Sequence, residues 1–269
     1  MTGMKPGVVY GDDYKALLAA CKGGAYALPA VNVVGTNSVN AVLEAAARNK
    51  SDIIVQLSNG GAQFFAGQGM ADGNTAKIMG AVAAAQHVHL LAEYYGVCVV
   101  LHTDHANRKL LPWIDGLIAQ GERYYKANGK PLYTSHMLDL SEETLEDNLS
   151  ICADYLQRMV PLEMSLEIEL GVTGGEEDGV GHDLDETDNA KLYTQPDEVL
   201  QAYDRLSPIG HFSVAASLAT CTGFTSRATC GCVRKPSRAA RIWCLRPMAP
   251  ATIPWIWCFT AAPARKRPR

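Results

Sequence analysis

Up to about residue 217 the chain alternates between two patterns of apolar and polar positions. Short, nearly continuous apolar runs rich in β-branched residues predict strands at 27–34, 52–58, 97–105, 132–139, 165–171 and 211–217. Stretches with apolar positions at helical spacing, or rich in alanine, predict helices at 12–23, 37–50, 75–95, 109–128, 141–159 and 196–206. Some carry their own end signals. The first opens on Asp12 and Asp13 and closes on Gly23, and Ser141 with Glu143 and Thr144 predicts a capped start for the fifth. Strands apolar on both faces and alternating with helices predict a parallel sheet covered on both sides. Six such units make an α/β fold of the (β/α)8 TIM-barrel type, two strands short. An open doubly wound sheet is the alternative.

In a barrel, chemistry sits at the C-terminal ends of the strands. Those ends read Asn32, then Ser58-Asn59-Gly60-Gly61, Asp104-His105, Asp139, and Glu167-Ile168-Glu169. Barrel stability alone would not need polar, metal-capable residues at strand end after strand end. In the run from His102 to His105, an Asp beside a His supplies a proton-transfer carboxylate and a metal ligand from adjacent positions. A hydrogen-bonded pair that merely closes a strand is the structural alternative. Glu167 and Glu169 share a strand face, where packing or ion pairing within a barrel layer competes with ligation. His87 and His89 lie two apart in a helical stretch and read as structural. Seven acids between Glu176 and Asp188 read either as a solvated loop or as a flap that swings a carboxylate over a substrate.

Composition changes the picture after Ser217. From Leu218 to Arg269 there are ten of the 24 Lys and Arg, and none of the 28 Asp and Glu. The preceding part keeps 14 bases against 28 acids, so a body of charge −14 is followed by a tail of +10. That tail also holds five of the eight cysteines and three of the four tryptophans. Two segments follow: a barrel portion at 1–217 and a basic tail at 218–269 without a family fold. The tail shows no interleaving of aromatic and basic residues, so no nucleic-acid partner is expected. No apolar run approaches the roughly 20 residues of a membrane-spanning helix, so no membrane partner is expected either. The opening MTGMKPGVVYGDDYK has no basic stretch followed by an apolar one, and the cysteines are not spaced as a disulfide framework, which points to a cytoplasmic protein.

The segments KPGVVYGDD, ALPAVNVVGT, VQLSNGGAQF, LHTDHANRKLLPWIDG, SHMLDLSEE and LEIELGVTGGEEDGV, followed by LYTQP, resemble the long-chain class II fructose-bisphosphate aldolases, in order from about Lys5 to Ser217. The resemblance implies a zinc-dependent lyase that reversibly cleaves fructose 1,6-bisphosphate to dihydroxyacetone phosphate and glyceraldehyde 3-phosphate through a zinc-stabilised enediolate. It implies His105 as a zinc ligand, Asp139 and Glu169 as ligands of a second metal position, and a monovalent cation. Asp104 would handle the hydroxyl proton of the second half-substrate, and Glu177 the proton of dihydroxyacetone phosphate. Asn32 and Ser58 would contact substrate, and the intact protein would be a homodimer acting on sugar phosphates. Tagatose 1,6-bisphosphate is the alternative substrate. A non-catalytic remnant with a basic tail is the alternative of another kind.

After Ala215-Ala216-Ser217 the family continues with a glycine, an NVHG turn and a KPGN stretch, where this chain has LATCTGFTSRATCGCVRK. Back-translated and read one base earlier, Ala219 onward gives GNVHGVYKPGNVRLRPE. Treated identically, Trp257–Ala264 gives LVFHGGSGA. The same displacement recovers two family segments in order, including the second and third zinc histidines. A C-terminus read in a shifted frame is therefore expected, and the chain as written is expected to be inactive.

Overall fold

Both predicted periods fold as their spacing dictates in the computed structural model, which describes residues 4–171, 175–177, 180–182, 194–216 and 255–257. At 175–177, 180–182 and 255–257 only the backbone is described. The elements run β1 (Gly7–Val8), α1 (Gly11–Gly24), β2 (Ala30–Asn32), α2 (Thr36–Asn49), β3 (Ile53–Ser58), α3 (Asn59–Ala66), α4 (Gly73–Tyr95), β4 (Cys98–Ala106) and α5 (Leu111–Asn128). They continue with β5 (Ser135–Leu138), α6 (Leu145–Met159), β6 (Ser165–Leu170), β7 (Gly175–Glu177), β8 (Val180–His182), α7 (Pro196–Leu206), β9 (Phe212–Ala216) and β10 (Trp255–Trp257).

Six of the strands are those the apolar runs predict, and they pair in parallel in the order β2-β3-β4-β5-β6-β9. This is the parallel α/β sheet of an incomplete barrel. β1 adds to β4 below the start of β5, and β7 and β8 form a separate antiparallel hairpin. The tail contributes a strand: β10 pairs with β9 in parallel, Trp255 against Ser213 through Trp257 against Ala215. A short apolar, β-prone triplet is enough to satisfy an open row of backbone groups.

The strand period of two separates two environments. Outward residues such as Val55, Leu101, Leu138, Ile168 and Val214 pack with Leu43, Val88, Trp113, Ile114 and Leu156 from the helices in one continuous core. Inward residues at the start of the strands, Ile54, Cys98 and Val100, meet Tyr14, Leu17, Leu18 and Cys21 of α1, which closes that end. Where α3 crosses α4 a glycine is required: a Cβ on Gly80 would lie 1.8 Å from the carbonyl oxygen of Ala62.

One helix was not predicted and one needs its start corrected. The Ser58-Asn59-Gly60-Gly61 stretch begins a helix, since the Ser58 hydroxyl accepts from the Gly61 N–H at 3.1 Å and caps α3. Helix α6 starts at Leu145, four residues later than Ser141: Thr144 is its cap, accepting from the Asp147 N–H at 3.1 Å. Ser141 instead donates its hydroxyl to Asp139 at 2.7 Å.

Candidate active site at the C-terminal mouth of the sheet

Asp104 and His105 are neighbours in sequence, and strict alternation would send one of them into the helix layer. A bulge prevents this. Thr103 pairs with His136 and Ala106 with Leu138, so the two residues between them face a single residue on β5. His105 takes up the excess with φ +43°, a left-handed conformation that is costly for a side chain carrying Cβ. Both side chains then face the mouth.

His105 meets the ends of two other strands there. Its Nδ1 lies 3.3 Å from Asp139 Oδ2 and 3.5 Å from Glu169 Oε2, and its Nε2 lies 3.9 Å from Asp104 Oδ1. One ligand atom from each of His105, Asp139 and Glu169 falls within 4.8 Å of the others. Asp139 is fixed from behind by the N–H and hydroxyl of Ser141. Burial works against charge on His105, but the Asp139 hydrogen bond and the charges of Asp104, Glu169 and Asp139 outweigh it and raise its pKa to about 10. Burial likewise opposes ionisation of Asp139, and the bonds from His105 and Ser141 more than offset it, holding the carboxyl below its ordinary range. One imidazole and two carboxylates, gathered around a proton, form a mixed nitrogen and oxygen donor set that suits a divalent cation.

The deeper layer differs. His102 Nδ1 lies 2.8 Å from Ser135 Oγ and its Nε2 3.5 Å from Glu167 Oε2. Burial pushes Glu167 up to about 8, with the Asp104 charge adding to it, and pulls His102 down to about 4. Glu167 therefore belongs to the barrel interior and Glu169 to the mouth.

The sequence-predicted residues sort plainly. His105, Asp139 and Glu169 come together, and Asp104 stands beside them. Asn32 reaches the same place from β2, donating to Asp104 Oδ2 at 2.8 Å. Ser58 lies opposite Asp104 in register, one strand away. Glu177 ends β7, and its side chain lies outside the described residues. The two helix histidines have structural partners, His87 with Asn40 and His89 with the Leu132 carbonyl. Sequence reasoning missed Gln56, which donates to Asp104 Oδ1 at 3.1 Å. It is the one inward polar residue before the end of an otherwise apolar strand, and that lone departure was the available signal.

Fold and site together define a barrel-type α/β protein with a metal-capable acid–base cluster at its strand mouths. The family model described as fructose-bisphosphate aldolase class-II matches residues 12–237. Among similar proteins, a fructose-bisphosphate aldolase of Edwardsiella ictaluri is 55% identical over 222 residues, covering 82% of this chain and 62% of that protein. A fructose-bisphosphate aldolase class 2 of Escherichia coli is 55% identical over 223 residues, with the same coverage. A crystal structure of fructose-bisphosphate aldolase from Campylobacter jejuni superposes with a TM-score of 0.71 at 53% identity, over 80% of this chain and 59% of that one. The chain belongs to the class II fructose-bisphosphate aldolase family. It spans 62% of the length of the two curated relatives. Among the described residues no helix is long and apolar enough to cross a membrane.

Proposed function

We propose that the gene encodes a zinc-dependent aldolase that reversibly cleaves fructose 1,6-bisphosphate, and that this chain as written carries only part of its site. The observation that carries the reading is the convergence of His105, Asp139 and Glu169 at one mouth in a chain of this family. A zinc ion held by His105, with Asp139 and Glu169 able to receive a second divalent ion, would supply Lewis-acid polarisation of the ketone carbonyl. The chain's own groups do the rest. Asp104, aimed by Asn32, takes the hydroxyl proton of the carbon chain as the carbon–carbon bond breaks. Glu177, carried by the hairpin after β6, exchanges the proton on dihydroxyacetone phosphate. Ser58 contacts glyceraldehyde 3-phosphate, the other product. A cytoplasmic homodimer acting on sugar phosphates fits this reading. Cleavage that persists in full after exhaustive chelation would refute the zinc requirement.

With Asp139 and Glu169 given to the second position, His105 alone falls short of the three protein ligands plus an open position typical of a tight catalytic zinc. We propose that the missing donors are encoded out of frame in the tail, which would make 218–269 a basic extension and not a domain. The genetic code supports this beyond any choice of codons. Displaced by one base, the codons spanning Cys221 and Thr222 can give only His or Tyr. The same holds for those spanning Phe259 and Thr260, and Trp257 followed by Cys258 must give Val. Both candidate positions follow strand ends that face the mouth, β9 ending at Ala216 and β10 at Trp257. Sequencing the gene across the codons of Ser217 and Leu218, with an intact mass from its natural host, tests the frame. A mass equal to that of the 269 residues as written would establish that the tail is genuine.

A further inference from the structure

We propose that Asn148 is a positioning residue for Glu169: its buried amide on α6 holds the end of β6, and with it the Glu169 carboxylate, in place to receive the second divalent ion. The inference rests on the aldolase reading for the role of Glu169, and on the structure alone for the bond.

Glu169 stands where the sheet stops supporting its backbone. The Ser165 N–H donates to the Thr134 carbonyl and the Leu166 N–H to the His211 carbonyl, so β6 turns the backbone groups of its odd-numbered residues toward β5. Strand β5 ends at Leu138, opposite Ile168. The Glu169 carbonyl therefore points past the last residue of β5. Asn148 supplies the donor there, its Nδ2 3.0 Å from the Glu169 carbonyl oxygen. A buried carbonyl left without a donor is costly, so this bond ties helix to strand firmly.

Asn148 is 2% exposed and belongs to the buried face of α6, with Leu149, Cys152 and Leu156. A polar side chain there is unfavourable unless both ends of its amide are satisfied. One turn on, the Cys152 thiol donates to Asn148 Oδ1 at 3.2 Å, which turns the amide so that its nitrogen faces the strand. Nothing that enters the mouth competes for either bond.

The placement matters because α6 is the crossover between the two strands that carry the carboxylates. Asp139 follows β5 and leads toward α6, and Glu169 lies at the end of β6. A bond from the start of α6 to the end of β6 fixes one strand mouth against the other. It thereby sets the spacing of the two carboxylates that gather with His105 within 4.8 Å. A group behind a ligand governs the affinity for an ion by fixing where that ligand stands.

The test has two arms. In the chain as it stands, the side-chain amide protons of Asn148, assigned by their loss in Asn148→Leu, should exchange with solvent far more slowly than those of the exposed Asn37. Equal exchange would overturn the bond whatever the chain catalyses. In the zinc-loaded chain with its frame restored, Mn2+ is the probe of the second position, followed by electron paramagnetic resonance. Asn148→Leu should weaken Mn2+ binding about 10–100-fold and leave bound zinc unchanged. Asn148→Ser, too short to reach the carbonyl, should show the same loss if the leucine variant does not fold. Leu149→Ala opens a cavity at the next position of the helix and leaves the bond intact. It should lower the urea midpoint yet change Mn2+ affinity by less than about twofold. Equal weakening by Leu149→Ala, no weakening by Asn148→Leu, or a restored parent that takes up no Mn2+ would each overturn the positioning role. If the restored parent binds Mn2+ but does not cleave fructose 1,6-bisphosphate, it is the aldolase reading that fails, and the comparison of variants still decides the role of Asn148.

Discussion

The two ends of the sheet's inner surface are built from opposite materials. At the start of the strands, Ile54, Cys98 and Val100 press against Leu17 and Leu18 of α1, with one buried acid, Asp52, accepting from the Cys98 N–H. At the end of the same strands, within a few residues, Asp104, His105, Asp139 and Glu169 crowd into one site. The first end gains stability by removing apolar surface from water. The second gathers like charges that only a proton or a cation can reconcile. A single strand such as β4 joins the two, so stability and chemistry are separated along the strand axis and not by domain. Damage at one end should therefore spare the other.

The largest expected effect breaks that separation from outside. Expressed side by side, the chain as written should hold no tight zinc and show no cleavage of fructose 1,6-bisphosphate, and the frame-restored chain should hold one catalytic zinc and cleave it. Bound metal by elemental analysis and a coupled assay decide the matter. Equal behaviour of the two chains would refute the displaced frame.

Next come two substitutions at opposite ends of the sheet in the restored chain. His105→Ala should abolish cleavage while urea unfolding shifts little. Leu18→Ala, buried against the sheet, should cost about 2–5 kcal/mol in the same unfolding measurement and leave zinc content unchanged. If Leu18→Ala empties the metal site, the two ends are coupled and the separation is wrong.

Of the two carboxylates proposed for proton transfer, Glu177 and Asp104 should differ in role. Glu177→Ala should slow exchange of the dihydroxyacetone phosphate proton with solvent, by about 10²–10⁴-fold, more than Asp104→Ala does. Equal slowing in both would show that the roles are assigned wrongly.

The smallest effect concerns acid. Burial first of all lowers His136 to about 3, and His102 and His211 to about 4, from an ordinary 6.5. A histidine held neutral in the fold takes up its proton more readily when unfolded. The unfolded chain then binds more protons between pH 6.5 and about 4, and stability falls as pH drops through that window. Each histidine should contribute on the order of 1–3 kcal/mol to the loss. His105, raised to about 10, works in the opposite sense: its contribution is complete below 6.5 and is lost as pH rises toward 10. Glu167, raised to about 8, also works in that opposite sense. Denaturation midpoints at pH 7 and pH 5 check the balance, and a rise on acidification would show that Glu167 and His105 together dominate.

The long-range plan was legible because each strand run was apolar on the face that meets the helices, and each helix carried its period. Local geometry was not. No helix was predicted after Ser58, yet its cap and the packing of α3 on α4 at Gly80 make one there. The metal-capable cluster was visible as polar strand ends, since β4, β5 and β6 each end on a ligand type. Gln56 was hidden in a run read as uniformly buried. The bulge at 103–106 was invisible in principle, because a period of two cannot place Asp104 and His105 on one face.

Strand β10 bears on how such a chain survives in water. A long, bare strand edge is a template on which further copies can stack, and the row of backbone groups along β9 would be one. Three residues of the tail lie along it in register. An edge that short presents few backbone groups to a newcomer, and the ten positive charges of the tail repel other copies of themselves. With β10 laid along it, the edge of β9 is a poorer template for polymerisation, so loss of residues 255–257 should appear first as turbidity.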